Sequence, residues 1–417
     1  MRFAIGNLHL KAFRLSASRA LLLAITLIAS SRASAESAWI LTNTDFRAEP
    51  VDVKSIDASG LKLATNEGEK TVEMDRFLQL DRAAPLRTRP PMLFLCLAGG
   101  DRIGGQPIRL DGEQLHFRSQ TLGELVYPLR QVRAIQRPGA QIFALPEQAN
   151  VEDVIRLANG DTVRGIISDI NADAISIQAS GGEVSQVSLG SLVSAEFAAT
   201  SSGASSKPIK RQRSFRVTLA DGTVLSGAAI AASENVLRIT LSDGSTRAVP
   251  LGTVAGIEQL DGPVVWLSSL SPSENVQTPY FGDRTIPARM DRNISGDVIR
   301  SGAHAYARGI GVHSYSRLSF DIDDRFAAFR TQFAIDGDLP FADVTARILV
   351  DGRQVWKKKN VKAGPVSAPA ILDIAGHKSL TLEVDYGENY DVQDRFNWIE
   401  PALLRTRPTS APSTQPQ

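Results

Sequence analysis

Tyr306 to Asp323 reads YARGIGVHSYSRLSFDID, and its alternation selects the fold class. Ile310 and Val312 alternate with Gly309, Gly311 and His313, and after Ser314-Tyr315-Ser316 the pattern resumes with Leu318, Phe320 and Ile322. A period of two places Ile310 and Val312 on one face of a strand and His313 on the other. The two glycines leave room on that second face for a ligand or a neighbouring loop.

The same texture continues on both sides. Ala346 to Lys358 predicts a hairpin around Asp351-Gly352, with Ile348 and Val350 against Val355. Leu380, Leu382 and Val384 alternate with Thr381, Glu383 and Asp385. From Val264 onward no stretch carries a helical period, so the segment 264–405 is expected to be a two-sheet sandwich. A Pro/Ser/Thr tail, 406–417, has the composition of a disordered segment.

Upstream, one pattern occurs four times. The copies begin at Ala38 (AWILTNTDF), Phe94 (FLCLAGGDRI), Val154 (VIRLANGDTV) and Phe215 (FRVTLADGTV). Each has an apolar strand, a turn rich in Gly, Asp or Asn, and further short strands. The turns Glu67-Gly68, Leu122-Gly123, Gly181-Gly182 and Asp243-Gly244 mark a hairpin in the second half of each copy. Five short strands in so few residues predict a small bent barrel, similar in size and rhythm to Sm-like and Src-homology-3-like units. The expected repeats are 36–82, 92–138, 151–198 and 214–261, with 199–213 as a Ser-rich linker. Such small cores bury little area, so pairwise packing is expected.

The chain has 417 residues and 46 Lys+Arg against 45 Asp+Glu, a net charge of +1. It lacks the basic surface that nucleic acid or an anionic membrane demands. Its only basic runs are Lys207 to Arg213, in the linker, and Lys357 to Lys359. Arg2, Lys11, Arg14 and Arg19 precede the apolar run Ala20 to Ala29 and Ala33-Ser34-Ala35, the pattern of a secretory signal peptide over 1–35. The expectation is therefore an exported chain of the periplasm or cell surface, with no membrane insertion after cleavage. Its one cysteine, Cys96, lies in the apolar run LFLCL and is expected to be buried.

The segment from Val264 to about Arg405 resembles NPCBM, a carbohydrate-binding module found beside glycoside hydrolase family 98 and related catalytic domains. The matching motifs are WLSSL at Trp266, QTPYFG at Gln277, YARGIGVHS at Tyr306 and RLSFDI at Arg317. RILVDG at Arg347, LTLEVDYG at Leu380 and DVQDRFNW at Asp391 complete them. The resemblance implies a galactose-binding-like jelly-roll sandwich, so that the whole chain is all-β, and it implies binding of a polysaccharide or glycoconjugate. It also leaves room for a structural calcium, with no other cofactor expected.

Candidate ligand residues are Arg308, His313, Tyr386, Asn389, Asp391, Asp394, Arg395 and Trp398. Asp385 to Trp398 gathers rings that can meet the C–H face of a sugar, with carboxylates, amides and a guanidinium for its hydroxyls. Trp398 also reads as a core residue. His313 has three readings: a hydrogen bond to the Asp391 to Trp398 loop, a sugar contact, or a catalytic or metal role. No nucleophile or carboxylate partner is recognisable for the third, and His304 alone gives no metal spacing. The leading expectation is a non-catalytic saccharide-binding protein. The alternatives are a structural protein whose repeats dock protein partners, and an unrecognised glycoside hydrolase.

Overall fold

The computed structural model describes residues 38–65, 68–139, 152–198, 212–283, 285–302 and 304–406. The expected signal segment, most of the Ser-rich linker and almost all of the tail lie outside the described residues. What is described is all-β, broken only by single 3-10 turns.

Each repeat is a five-stranded antiparallel unit. In the first, Trp39–Asn43 pairs with both Ala48–Asp57 and Phe77–Arg82, and Gly60–Thr65 lies between Ala48–Asp57 and Gly68–Glu73. The second and third repeat this order. In the fourth, the long second strand is split into Val224–Gly227 and Ala229–Ser233. A 3-10 turn precedes the fifth strand in the first, second and fourth repeats. Periodicity did not announce these turns, because three residues are too few to show one.

The barrels pack in two pairs through their fifth strands. Phe77–Arg82 lies antiparallel to Val254–Leu260, joining the first and fourth barrels, and Val132–Gln136 lies against Leu192–Glu196, joining the second and third. Arg82 donates to the Leu251 and Val254 carbonyls across the first seam, and the equivalent Arg137 donates to the Leu189, Gly190 and Leu192 carbonyls across the second. Arg102 donates to the Gly222 carbonyl and the Gly104 backbone N–H donates to the Thr223 hydroxyl at 2.9 Å, linking the second barrel to the fourth. Cys96 is buried, and burial pushes its thiol up to about 11, so it is an inert apolar residue.

Beyond Pro263 the chain forms a sandwich of two antiparallel sheets. One runs Arg289–Met290, Gly309–His313, Arg395–Leu404, Ala328–Ile335 and Ala370–Asp373, with Val264–Trp266 on the far end of Arg395–Leu404. The other runs Glu274–Gln277, Ser316–Asp321, Ser379–Tyr386, Val344–Val350 and Arg353–Val361. Between them lie Phe320, Phe329, Phe333, Phe396 and Trp398 with Ile348 and Leu382. The Asp351-Gly352 hairpin forms with positive φ at both turn residues, 46° and 76°, as a tight two-residue hairpin demands.

The sandwich seats on the first and fourth barrels. Leu78 joins Val264, Trp266, Ala328, Ala402 and Leu404 in one buried apolar cluster, with Phe46 packed against it. Phe46 holds φ at +60°, where the corresponding turns of the other repeats place Gly100, Gly160 and Gly222, also at positive φ. A phenylalanine is costly in that conformation. Its ring stands edge-on to Trp266, centroids 6.0 Å apart, and lies 4.0 Å beneath the Arg330 guanidinium. Those contacts offset the strain, so the first repeat departs from the glycine rule at the point where it meets the sandwich.

Candidate functional site

The strand Arg395–Leu404 has its C-terminal end in the barrel junction and its N-terminal end among loops. Ten residues at roughly 3.3 Å each separate these ends by about 30 Å. At the loop end are also the ends of Glu274–Gln277, Gly309–His313, Ala328–Ile335 and Ser379–Tyr386, and the starts of Ser316–Asp321 and Val344–Val350. The connecting residues 278–283, 285–288, 336–343 and 387–394 therefore gather away from the barrels.

An aromatic cap forms there. Tyr280 meets Phe281, Tyr386 and Tyr390 with ring centroids 4.9, 5.2 and 4.5 Å away, and Phe281 lies 5.6 Å from Tyr390. Tyr280, Phe281 and Tyr390 are 48%, 58% and 48% exposed, which is unusual for a contiguous aromatic group. The cap is held from beneath. Asp391 accepts from the Tyr280 and Phe281 backbone N–H groups at 2.7 and 3.3 Å, and the Tyr386 hydroxyl donates to the Thr278 carbonyl at 2.5 Å. Asn389 donates to the Phe341 carbonyl at 2.9 Å. Deeper still, Glu383 accepts from the Tyr315 hydroxyl, Arg317 and Arg347. Three polar candidates from the sequence thus converge here: Tyr386, Asn389 and Asp391. Tyr280 and Phe281 were not among the candidates, although two adjacent rings in the Pro/Gly-flanked turn TPYFG cannot both point into a core.

At the same end of the sandwich, an open cleft of about 1050 Å³ is lined by Asn293, Asp297, Arg300, Asp336, Asp338 and Arg395, among others. Asn293 donates to the Asp336 carboxylate at 2.9 Å, which ties two walls of the cleft together. Of the candidates, Arg395 belongs to this cleft.

The remaining candidates stand elsewhere. Arg308 is held at the barrel junction by Glu258 and Asp291, so its guanidinium is committed within the protein. Trp398 is 1% exposed and packs against Phe333, Phe396 and Trp356, a core position. Asp394 is buried and accepts from the Ser314 hydroxyl at 2.5 Å and the Asp343 N–H at 3.1 Å. His313 lies opposite Arg395 in register, next to the expected loop, but its Nδ1 faces the carbonyl of Ser314 at 3.1 Å. The hydrogen bond that ties this strand to the loop comes from Ser314, one residue on. Gly311 leaves its room to a loop of the protein itself: a Cβ there would stand 2.5 to 2.6 Å from backbone atoms of Arg292, Asn293 and Ile294. Among the described residues no three His, Cys, Asp or Glu side chains converge as a metal site.

Residues 263–404 match the NPCBM/NEW2 domain. No curated protein matches the chain. Among solved structures, the chain is similar to the CBM51-2 and INT domains of Clostridium perfringens ZmpB in complex with GlcNAc. Identity there is 24% over 42% of this chain and 37% of that one, with a TM-score of 0.31. The CBM51 of C. perfringens GH95 in complex with methyl-galactose is 20% identical over 34% of this chain and 99% of that one, TM-score 0.30. The tandem CBM51 modules of Sp3GH98 from Streptococcus pneumoniae SP3-BS71 are 9% identical over 88% and 87%, TM-score 0.30. The chain spans only 37% of the first of these structures. The NPCBM/NEW2 domain accounts for the sandwich and leaves the four barrels outside the match.

Burial pushes the Asp394 carboxyl up to about 6, the hydrogen bonds from Ser314 and Asp343 opposing and the nearby Asp391 and Asp343 charges adding to the rise. A carboxyl with a raised folded pKa binds its proton more tightly in the folded state. Its contribution to stability is full below the unfolded value near 3.8 and is lost as pH rises through about 6. Asp394→Asn should remove this dependence. Relative to wild type, the variant should gain about 2 kcal/mol between pH 4 and pH 8, at ~1.4 kcal/mol per pKa unit. Urea unfolding at the two pH values checks this, and an unchanging difference between the proteins would refute it.

Proposed function

We propose that the chain is an exported, non-catalytic saccharide-binding protein that holds a polysaccharide or glycoconjugate on the loop end of its NPCBM/NEW2 domain. The observation that carries this reading is the exposed cap of Tyr280, Phe281 and Tyr390, held by Asp391 and Tyr386, with a polar cleft at the same end of the sandwich. A pyranose has an apolar C–H face and a hydroxyl rim, so it is complementary to rings flanked by carboxylates, amides and arginines. The barrels seat on the opposite end of the sandwich and so leave these loops open. Export rests on the basic start, the short apolar run and Ala33-Ser34-Ala35.

The test is a glycan array followed by calorimetry on the full mature chain. At about 1 kcal/mol for each ring contact, Tyr280→Ala with Phe281→Ala should weaken binding about thirtyfold. Thermal stability should stay nearly unchanged, because both rings are exposed. Full binding by the double variant would remove the cap from the site, and the absence of binding to any glycan would overturn the reading.

A further inference from the structure

The four barrels offer a comparison within one chain. In each, the fourth strand pairs on one side with the third strand, and among the described residues no second strand covers its outer edge. Such an edge carries unpaired N–H and C=O groups and is normally blunted by charge or proline. Gly68–Glu73 carries Glu69, Lys70 and Glu73. Gly123–Pro128 carries Glu124 and ends in Pro128, and Thr246–Pro250 carries Arg247 and ends in Pro250. The sandwich follows the same rule: Lys357, Lys358 and Lys359 lie on its edge strand Arg353–Val361.

The third barrel departs from it. Its fourth strand, Val184–Ser188, reads VSQVS, with neither a charge nor a proline. Val184 is 58% exposed, and Ile166, two strands away in the same cross-strand row through Gln178, is 69% exposed. The edge is therefore both unprotected and flanked by aliphatic side chains.

We propose that the chain forms a two-fold dimer by antiparallel pairing of Val184–Ser188 with the same strand of a second copy. Neutrality favours a second copy over a foreign strand. In a two-fold pairing about Gln186 that residue faces its own copy and Ser185 and Val187 pair across the axis, so a charge at the centre of the strand would stand close to its own like charge, and VSQVS has none. Val184 then faces Ser188 of the partner, Gln186 faces its own copy, and the rows of Ile166, Gln178 and Val184 join into one continuous sheet face. The molecule already joins its barrels by antiparallel contact between equivalent strands, at both fifth-strand seams.

Sedimentation equilibrium of the mature chain over a micromolar range tests this, with two double variants at the exposed positions 184 and 188. Wild type should be dimeric. Val184→Lys with Ser188→Lys puts like charges opposite each other and should give a monomer with an unchanged circular dichroism spectrum. Val184→Lys with Ser188→Glu puts opposite charges across the axis and should keep the dimer. A monomeric wild type, a dimer that survives the double lysine change, or loss of the dimer in both variants would overturn the proposal.

Discussion

Trp398→Ala is expected to destabilise the sandwich by about 3–5 kcal/mol, the range for truncating a large buried aromatic. Trp398 is opposite Ile310 and Phe333 in the two neighbouring strands of its sheet. Its ring meets Phe396 at 4.9 Å, and Phe333 and Trp356 at 6.5 Å, so alanine leaves a void bordered on several sides by rigid rings that cannot close it. Trp398→Phe keeps part of that volume and should cost less. Tyr390→Ala, on the exposed cap, should cost under about 1 kcal/mol. Urea unfolding of the three variants orders them. If Trp398→Ala unfolded at the wild-type midpoint while glycan binding fell, the tryptophan would belong to the site and the core assignment would be wrong.

That contrast shows what the sequence could and could not convey about the site. Trp398 and Tyr390 are both aromatic residues of one dense polar segment, and composition cannot tell them apart. Strand parity separates them. Phe396 and Trp398 share the inward face of Arg395–Leu404, whereas Tyr390 lies in the loop before it, at φ +61°. Asp391 was legible as a candidate from its neighbours, but not as the group that holds the Tyr280-Phe281 turn, since its partners are about 110 residues away. The position of Arg308 at the barrel junction was not legible for a related reason. Its partner Glu258 is 50 residues upstream, in a different repeat, and nothing local marks the pair.

For the fold, local signals carried furthest. Gly-Gly, Asp-Gly and Leu-Gly turns with short alternating runs were enough to lay out the strands of the second, third and fourth barrels, because hairpin register is fixed by turn chemistry, while the expected Glu67-Gly68 turn lies partly outside the described residues. Which barrels pair was not legible. The first meets the fourth, and the second meets the third, through edges whose side chains are ordinary for half-buried strands. Edge pairing is made by backbone N–H and C=O groups, which every residue carries except that proline lacks the N–H, so the side-chain pattern records that a strand exists and not what lies beside it.

The junction between barrels and sandwich provides the other large expected effect. Glu258 accepts from Arg308 at 2.6 Å on each carboxylate oxygen and from the Trp266 indole at 3.0 Å, with Arg216 3.5 Å away. Both Glu258 and Arg308 are largely shielded, with side chains 16% and 14% exposed. Glu258→Ala should cost about 2–4 kcal/mol, because it strands a shielded guanidinium and leaves the indole N–H without its acceptor. Asp291 still holds one side of Arg308 at 2.8 Å, which keeps the loss below that of a fully orphaned charge. Arg308→Ala should cost less, since Glu258 retains Trp266 and Arg216. The double variant should fall well short of the sum, as coupled partners do. Because these contacts bridge the fourth barrel and the sandwich, the loss should appear in calorimetry as separation of one transition into two, with the cap still binding glycan below the first. Additive costs and an undivided transition would show that Leu78, Phe46 and Trp266 hold the junction by apolar packing alone.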